Sequence, residues 1–437
     1  LLGGGGSGST KVKDADVTLT NCGVNLLYLS GINGEVVDSS IVATNCTIDS
    51  FSATNRGFVG TGNVDLNGCT VEKLNTGAAE GCFTSDSGGT DGSGVTGSVT
   101  YNIDASSTVE KAVLTPYVTR INDAYTNTFQ NVTVNKAGDP LELEVASFDA
   151  VQGSSKKTLN AFLVPENSTL TLNNVKTTIA GDNTLTNAGT IDMDDASSLT
   201  VASGATLEQA GTVNGGTVEG TVTEYVARVG NTGYESLDAA MNAVKDSGGT
   251  ITLLKDATLD NANYTISKPV TIQGNGTIEA NNPSTHAFTV KENEGSLTLN
   301  GVTLKITGDS GYGIDVQYGT TLTMNNAEII LEGVSNATIS SWNDDTYPGD
   351  YPGKFILNNS KITATDIGGN FSNGGDWTLT NSSIEIEGCT SNGFSCNSAT
   401  LDNSTVSVSG AKLMGVTAKE MTLENNSAVT VEECGTD

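Results

Sequence analysis

Residues 379–431 read LTNSSIEIEGCTSNGFSCNSATLDNSTVSVSGAKLMGVTAKEMTLENNSAVTV. One phrase returns three times in them: Leu379-Thr-Asn381, Leu401-Asp-Asn403 and Leu423-Glu-Asn425. Working toward the N-terminus, Leu357-Asn-Asn359, Met324-Asn-Asn326 and Leu299-Asn-Gly301 continue it, and the steps from 301 onward are 25, 33, 22, 22 and 22 residues. The first half repeats the phrase at Asn21, Asn45 and Gly68, then less regularly at Asn131 and Asn174. A fixed period of this size means stacked supersecondary units. Around the phrase lie short alternating runs. Ile384-Glu-Ile386 and Val406-Ser-Val408 follow the Asn, whereas Gly393-Phe-Ser-Cys396 and Gly415-Val-Thr-Ala418 precede the Leu. Alternation with β-branched residues predicts strands. Three strands per period with no helix make one coil of a parallel β-helix, each strand pairing with its equivalent in the next coil ~4.8 Å away. The expected fold is all-β, a parallel β-helix solenoid.

The asparagine follows from the turn. A very short turn between two strands needs a residue at φ > 0, which Asn tolerates and Gly adopts freely. Stacked side-chain amides can also bond to one another along the axis. Asn21, Asn45, Asn326, Asn359, Asn381, Asn403 and Asn425 are therefore expected to form a structural ladder. Asn45, Asn131, Asn381 and Asn403 also begin Asn-x-Ser/Thr triplets, but an amide engaged in a ladder cannot carry a glycan. Cys22, Cys46 and Cys69 directly follow the turn, where Ser360, Ser382, Ser404 and Ala327 stand in other coils. The position is a slot for a small buried residue, and free thiols suit it. Stacked cysteines also fall within disulfide range, so a Cys22–Cys46 or Cys46–Cys69 bond stays open.

Composition restricts function more than it identifies it. In 437 residues, 20 Lys+Arg against 50 Asp+Glu leave a formal charge of −30. That charge repels phosphate backbones and anionic lipid, so nucleic acid is not an expected partner. No run is long and apolar enough to predict a membrane-spanning helix. His286 is the one histidine, which excludes any site needing two from one chain. The opening Leu1–Thr10 (LLGGGGSGST) reads as a linker or a processed end.

The repeat breaks near residue 225. Ser236–Asp246 (SLDAAMNAVKD) places Leu237, Ala240, Met241 and Val244 on one helical face, with Ser236 as cap and Gly248-Gly249 as terminator. Such a helix would cover the open end of a solenoid. Two tandem segments are expected, 1–224 and 225–437, with the cap helix at 236–246. Residues 225–280 (YVARVGNTGYESLDAAMNAVKDSGGTITLLKDATL…ISKPVTIQGNGTI) resemble the cap and first coils of the pectin-lyase-like superfamily, especially repeats in surface proteins of Gram-positive gut bacteria. That resemblance implies a right-handed parallel β-helix with an asparagine ladder, and an extracellular or cell-surface location. It says little of function, since the superfamily holds lyases, glycosidases, adhesins and phage spikes.

Lyases of this fold use Arg or Lys as base beside calcium held by carboxylates. The arginines are Arg56, Arg120 and Arg228, and none has an acidic cluster one coil away. Glycosidases use paired carboxylates, and the Asp-Asp pairs are Asp194-Asp195 and Asp344-Asp345. The Gly-His-Gly and Arg-Ile-Lys signatures of polygalacturonases are absent, as is a Gly-x-Ser-x-Gly elbow. No catalytic or metal residue and no cofactor is assigned, although Asp86–Gly94 (DSGGTDGSG) could hold calcium weakly. The 33-residue step exceeds the 22-residue coil by 11, and the excess must leave as a loop. That loop, residues 341–353, carries Trp342, Asp344, Asp345, Tyr347, Asp350 and Tyr351, whose aromatic faces and carboxylates suit a glycan or protein contact. The functional expectation is a non-enzymatic secreted or cell-surface module, adhesin-like or glycan-binding, within a larger bacterial surface protein, with a glycan or a host or cell-surface protein as partner. The alternative is a divergent polysaccharide lyase or glycoside hydrolase. The final coil, around Val429-Thr-Val431, is expected to lie exposed.

Overall fold

A computed structural model gives the fold. It describes residues 12–13, 16–28, 36–37, 39–52, 61–76, 98–114, 117–121, 124–128, 131–152, 155–260, 263–281, 283, 285–291, 294–308, 311–335, 339–340 and 352–435. The chain forms two compact units, Leu1–Glu224 and Tyr225–Asp437. Each is a parallel β-solenoid, and a single short helix is the exception among the described residues.

The N-terminal unit wraps two eight-stranded sheets and one six-stranded sheet around its core. Parallel neighbours come from successive coils, so each parallel pairing joins residues about one repeat apart. Asp16–Thr20 pairs with Ser39–Thr44, which pairs with Thr61–Asn67. The irregular spacing between Asn131 and Asn174 has a structural cause. An antiparallel hairpin, Phe148–Gln152 with Ser155–Leu159, is inserted between successive coils. A second hairpin, Tyr117–Ile121 with Ala124–Thr128, begins the six-stranded sheet.

The C-terminal unit has sheets of ten, eight and five strands. Its core is a set of axial stacks. Leu299, Met324, Leu357, Leu379, Leu401 and Leu423 are in register on successive strands. The first five are fully buried, while Leu423 on the last coil is 48% exposed. Aromatic rings fill a wider part of the same core. Phe355 and Trp377, paired on adjacent strands, stack with centroids 4.0 Å apart, and Phe394 meets Trp377 edge-on at 5.1 Å.

The two ends of this unit differ. At the first coil, helix α1 (Leu237–Val244) buries Leu237, Ala240, Met241 and Val244. The larger of these, Leu237, Met241 and Val244, contribute about 1.5–3 kcal/mol each by leaving water. Ser236 caps the helix by accepting from the Ala239 N–H at 3.2 Å. The helix is shorter than 236–246: past the Lys245 N–H, which bonds to Met241 O, the Ser247 and Gly248 N–H groups both close on Val244 O, and Gly248 turns at φ +78°. The Tyr264 hydroxyl donates to the Asp238 carboxylate and ties the helix to the coil it covers. At the last coil, no helix is present among the described residues. Leu413, Met414, Leu423 and Val431 are 47–57% exposed there.

Candidate functional site

From the Gly301 coil to the Asn403 coil, the turn from the ten-stranded to the eight-stranded sheet uses two residues. The first is left-handed: Asn326, Asn359, Asn381 and Asn403 have φ of +50°, +47°, +49° and +48°. Asn21, Asn45 and Asn425 share the conformation at +53°, +53° and +39°, and Gly68 and Gly301 at +63° and +71°. Gly suits position 68 for a second reason. A Cβ there would stand 2.6 Å from Asn45 Oδ1.

The second turn residue is small because it points inward and serves two backbone groups. Ser382 Oγ accepts from the Ser360 N–H of the preceding coil at 3.0 Å and donates to Thr380 O of its own at 2.7 Å. Ser360 and Ser404 repeat this, accepting from Ala327 and Ser382 and donating to Asn358 and Asp402. A file of hydroxyls thus satisfies the buried turn amides that the strands leave unpaired. In the N-terminal unit, Cys22, Cys46 and Cys69 occupy this slot, and their thiols donate to carbonyls at 3.3–3.6 Å. All six described cysteines are free thiols.

The amide ladder has a part that sequence reading missed. Among the left-handed residues, Asn403 Nδ2 donates to Asn381 Oδ1 at 2.7 Å. That nitrogen is the atom a glycan would take at the Asn403 triplet. A second file runs one residue earlier. Asn358 Nδ2 donates to Asn325 Oδ1 at 2.9 Å, and Asn325 Nδ2 to Asn300 Oδ1 at 2.8 Å. The N-terminal unit carries the same device from Asn173 to Asn135 to Asn102 to Asn63, at 2.7–3.1 Å. The doublets Asn325-Asn326, Asn358-Asn359 and Asn173-Asn174 were its signal: the second Asn makes the turn and the first makes the ladder.

Along the turn, from Gly301 to Thr405, runs an open groove of about 560 Å³. Its floor is the row Asn326, Asn359, Asn381 and Asn403, and Glu328 and Lys361 bring the charge. Lys361 Nζ is 2.8 Å from Glu385 Oε2. The wall is therefore mostly neutral amide and hydroxyl, repeated at the coil spacing of ~4.8 Å. Such groups donate and accept hydrogen bonds without taking part in proton transfer near neutral pH.

The other predicted residues are dispersed. Trp342, Asp344, Asp345, Tyr347, Asp350 and Tyr351 lie outside the described residues, as do Arg56 and Asp86–Gly94. Pro352, just past their insert, precedes the start of strand Lys354–Asn358, whereas the groove lies past the strand's other end. Five extended residues separate the two by roughly 17 Å. Asp194 serves a turn. Burial opposes its ionisation, but hydrogen bonds from Ser197 and from the Asn174 N–H outweigh it and hold the carboxyl below its usual range. Arg120 sits on a hairpin strand, and Arg228 on the antiparallel cap strand, where it donates to Gly230 O at 3.0 Å. His286 packs against the Tyr312 ring at 4.7 Å, and burial lowers its pKa against the pull of Asp315. No group of three or more His, Cys, Asp or Glu side chains is placed to hold a metal among the described residues. No helix among them is long and apolar enough to cross a membrane.

No protein-family model matches this chain, and no curated protein matches it. The parallel solenoid stands on the strand pairing alone.

Proposed function

We propose that this chain is a non-enzymatic β-helical module of a secreted or cell-surface protein, adhesin-like, that holds an extended glycan along the Asn326–Asn403 groove. In this reading it belongs with the pectin-lyase-like repeats that residues 225–280 resemble. The observation that carries the reading is the recurrence of an amide on four successive coils, Asn326, Asn359, Asn381 and Asn403, along the solenoid axis, with Ser383 and Thr405 adding hydroxyls on the last two. A ligand that matches it is itself a repeating polymer with hydroxyls to offer. The ligand is also neutral. The groove's lysine is already paired with Glu385, and a net charge of −30 repels uronic-acid chains. Trp342 and Tyr347 on the 341–353 insert offer stacking faces for a separate contact.

A panel of immobilised neutral and acidic glycans tests this, with the intact chain compared with Thr405→Trp. Thr405 is exposed and lines the groove, so the indole fills the groove without disturbing the core. Binding to a neutral polysaccharide that falls severalfold in the variant is the expected result. Equal binding by both proteins, or binding confined to acidic glycans, overturns the reading. Deleting residues 341–351 in a third protein separates the insert from the groove.

A further inference from the structure

The N-terminal unit departs from its partner in one chemical respect: three successive turns put sulfur where other turns put oxygen. The register Gly23–Thr47–Thr70 places Cys22, Cys46 and Cys69 one above another. The Thr47 N–H bonds to Cys22 O and the Thr70 N–H to Cys46 O, both at 2.9 Å, which fixes the spacing between coils. We propose that Cys46 and Cys69 form a reversible disulfide between adjacent coils, with Cys22 as the thiol that first meets a small disulfide oxidant.

Three observations carry this. Strands of neighbouring coils lie ~4.8 Å apart, inside the roughly 4.4–6.8 Å Cα separation that a disulfide spans. The Cys69 side chain leans toward the coil of Cys46: its thiol reaches Ala43 O, three residues before Cys46, at 3.3 Å, closer than Asn67 O of its own coil at 3.6 Å. Exposure grades along the file, with Cys46 and Cys69 2% and 1% exposed and Cys22 half-buried. Burial also raises the Cys69 pKa, which disfavours direct attack by that thiol on an oxidant in solution. The C-terminal unit lacks such a pair. There Cys389, Ala411 and Cys434 follow one another coil by coil, so an alanine separates the two sulfurs.

The steps balance as thiol–disulfide exchange. The Cys22 thiolate attacks a small disulfide RSSR, and one RS⁻ leaves. Cys46 then attacks the Cys22 sulfur and expels the second RS⁻. Cys69 attacks the Cys46 sulfur and returns Cys22 as a free thiol. Two protein thiols are oxidised, RSSR is reduced to two RSH, and the protons of Cys46 and Cys69 end on the two RSH molecules.

The test treats the folded chain with oxidised glutathione, alkylates the remaining thiols, and maps peptides after cleavage at Arg56 and Glu35. Those cuts place Cys22, Cys46 and Cys69 on separate peptides. The expected product is a Cys46–Cys69 link with Cys22 alkylated, a raised thermal midpoint, and reversal by a dithiol reductant. Cys22→Ser should slow the reaction severalfold and give the same link. Cys69→Ser should stop at a Cys22–Cys46 link, and it keeps the hydroxyl that other coils tolerate. Recovery of Cys46 and Cys69 as alkylated thiols, a link from either to Cys82, or a link that forms only in denaturant overturns the proposal.

Discussion

The inward turn slot is filled by Cys22, Cys46, Cys69, Ser107 and Ser197 in the N-terminal unit, and by Val302, Ala327, Ser360, Ser382, Ser404 and Ser427 in the C-terminal unit. The serines bridge two coils by short bonds. Ser382, for example, bonds at 2.7 and 3.0 Å, while the thiols reach their carbonyls only at 3.3–3.6 Å. Ser107 and Ser197 show that the N-terminal backbone accepts the same device, for each hydroxyl accepts from the amide of the preceding coil and shares its single proton between Leu66 O or Leu172 O and the carboxylate of Asp104 or Asp194. Among the serine and cysteine coils the slot thus keeps a short side chain and varies its chemistry. Sulfur fills the volume and weakens the bond, and oxygen does the reverse.

The largest expected effect tests whether the two units are independent in stability as they are in core. Trp377→Ala removes the ring stacked on Phe355, and truncating so large a buried side chain costs about 3–5 kcal/mol. Urea unfolding followed by Tyr and Trp fluorescence should show the C-terminal transition moving to lower denaturant with the N-terminal transition unchanged. A common shift of both would show them unfolding as one.

A smaller effect addresses the slot itself. Ser382→Ala strands the buried Ser360 N–H and is expected to cost about 1–3 kcal/mol. Ser382→Cys should cost less, and Cys46→Ser in the other unit should be close to neutral. If alanine and cysteine prove equally harmful at 382, the hydroxyl rather than the volume decides the slot.

The left-handed turn comes next. Asn381→Ala puts a Cβ at φ +49° without a side-chain amide, a change expected to cost about 1–2 kcal/mol, whereas Asn381→Gly should be mild. The same pair of substitutions at Asn45, where φ is +53°, should give a similar gap.

The smallest effect is pH dependence. The hydroxyls of Ser106 and then Ser107 hold Asp104 at about 2, below its usual 3.8. A carboxyl whose folded pKa is depressed stabilises the fold above its unfolded value and loses that contribution as pH falls through the folded one. The N-terminal unit should therefore lose stability between pH 3.8 and about 2, with Asp194 adding in the same direction. Asp104→Asn should flatten the profile. The serines of the C-terminal turns do not titrate, so that unit's turn file should contribute no such slope in thermal melts.

Much of the fold was legible because its causes are local. A Leu-x-Asn phrase at 22-residue steps, alternation on both sides of it, and the Ser236–Asp246 pattern each report on a few neighbouring residues. The candidate site was less so. The sequence drew attention to the aromatic insert at 341–353, since aromatics and acids are conspicuous, and overlooked the groove, whose residues are ordinary one by one. The ladder was placed on the turn asparagines, and much of it runs through Asn300, Asn325 and Asn358 beside them. The first Asn of each doublet looks redundant until its partner in the next coil is known.

What the sequence by itself determined is the coil: that short strands flank the Leu-x-Asn phrase, that the Asn or Gly turns left-handed, and that a small residue follows it in most coils. Those are properties of backbone sterics and side-chain period, and they do not depend on what lies above or below. What only the tertiary structure decided is everything that runs along the axis. The amide files, the hydroxyl relay, the thiol stack and the groove all depend on register between residues 22–39 positions apart. A shift of one residue would turn each set to the other face of its strand, so these features exist only once neighbouring coils have paired.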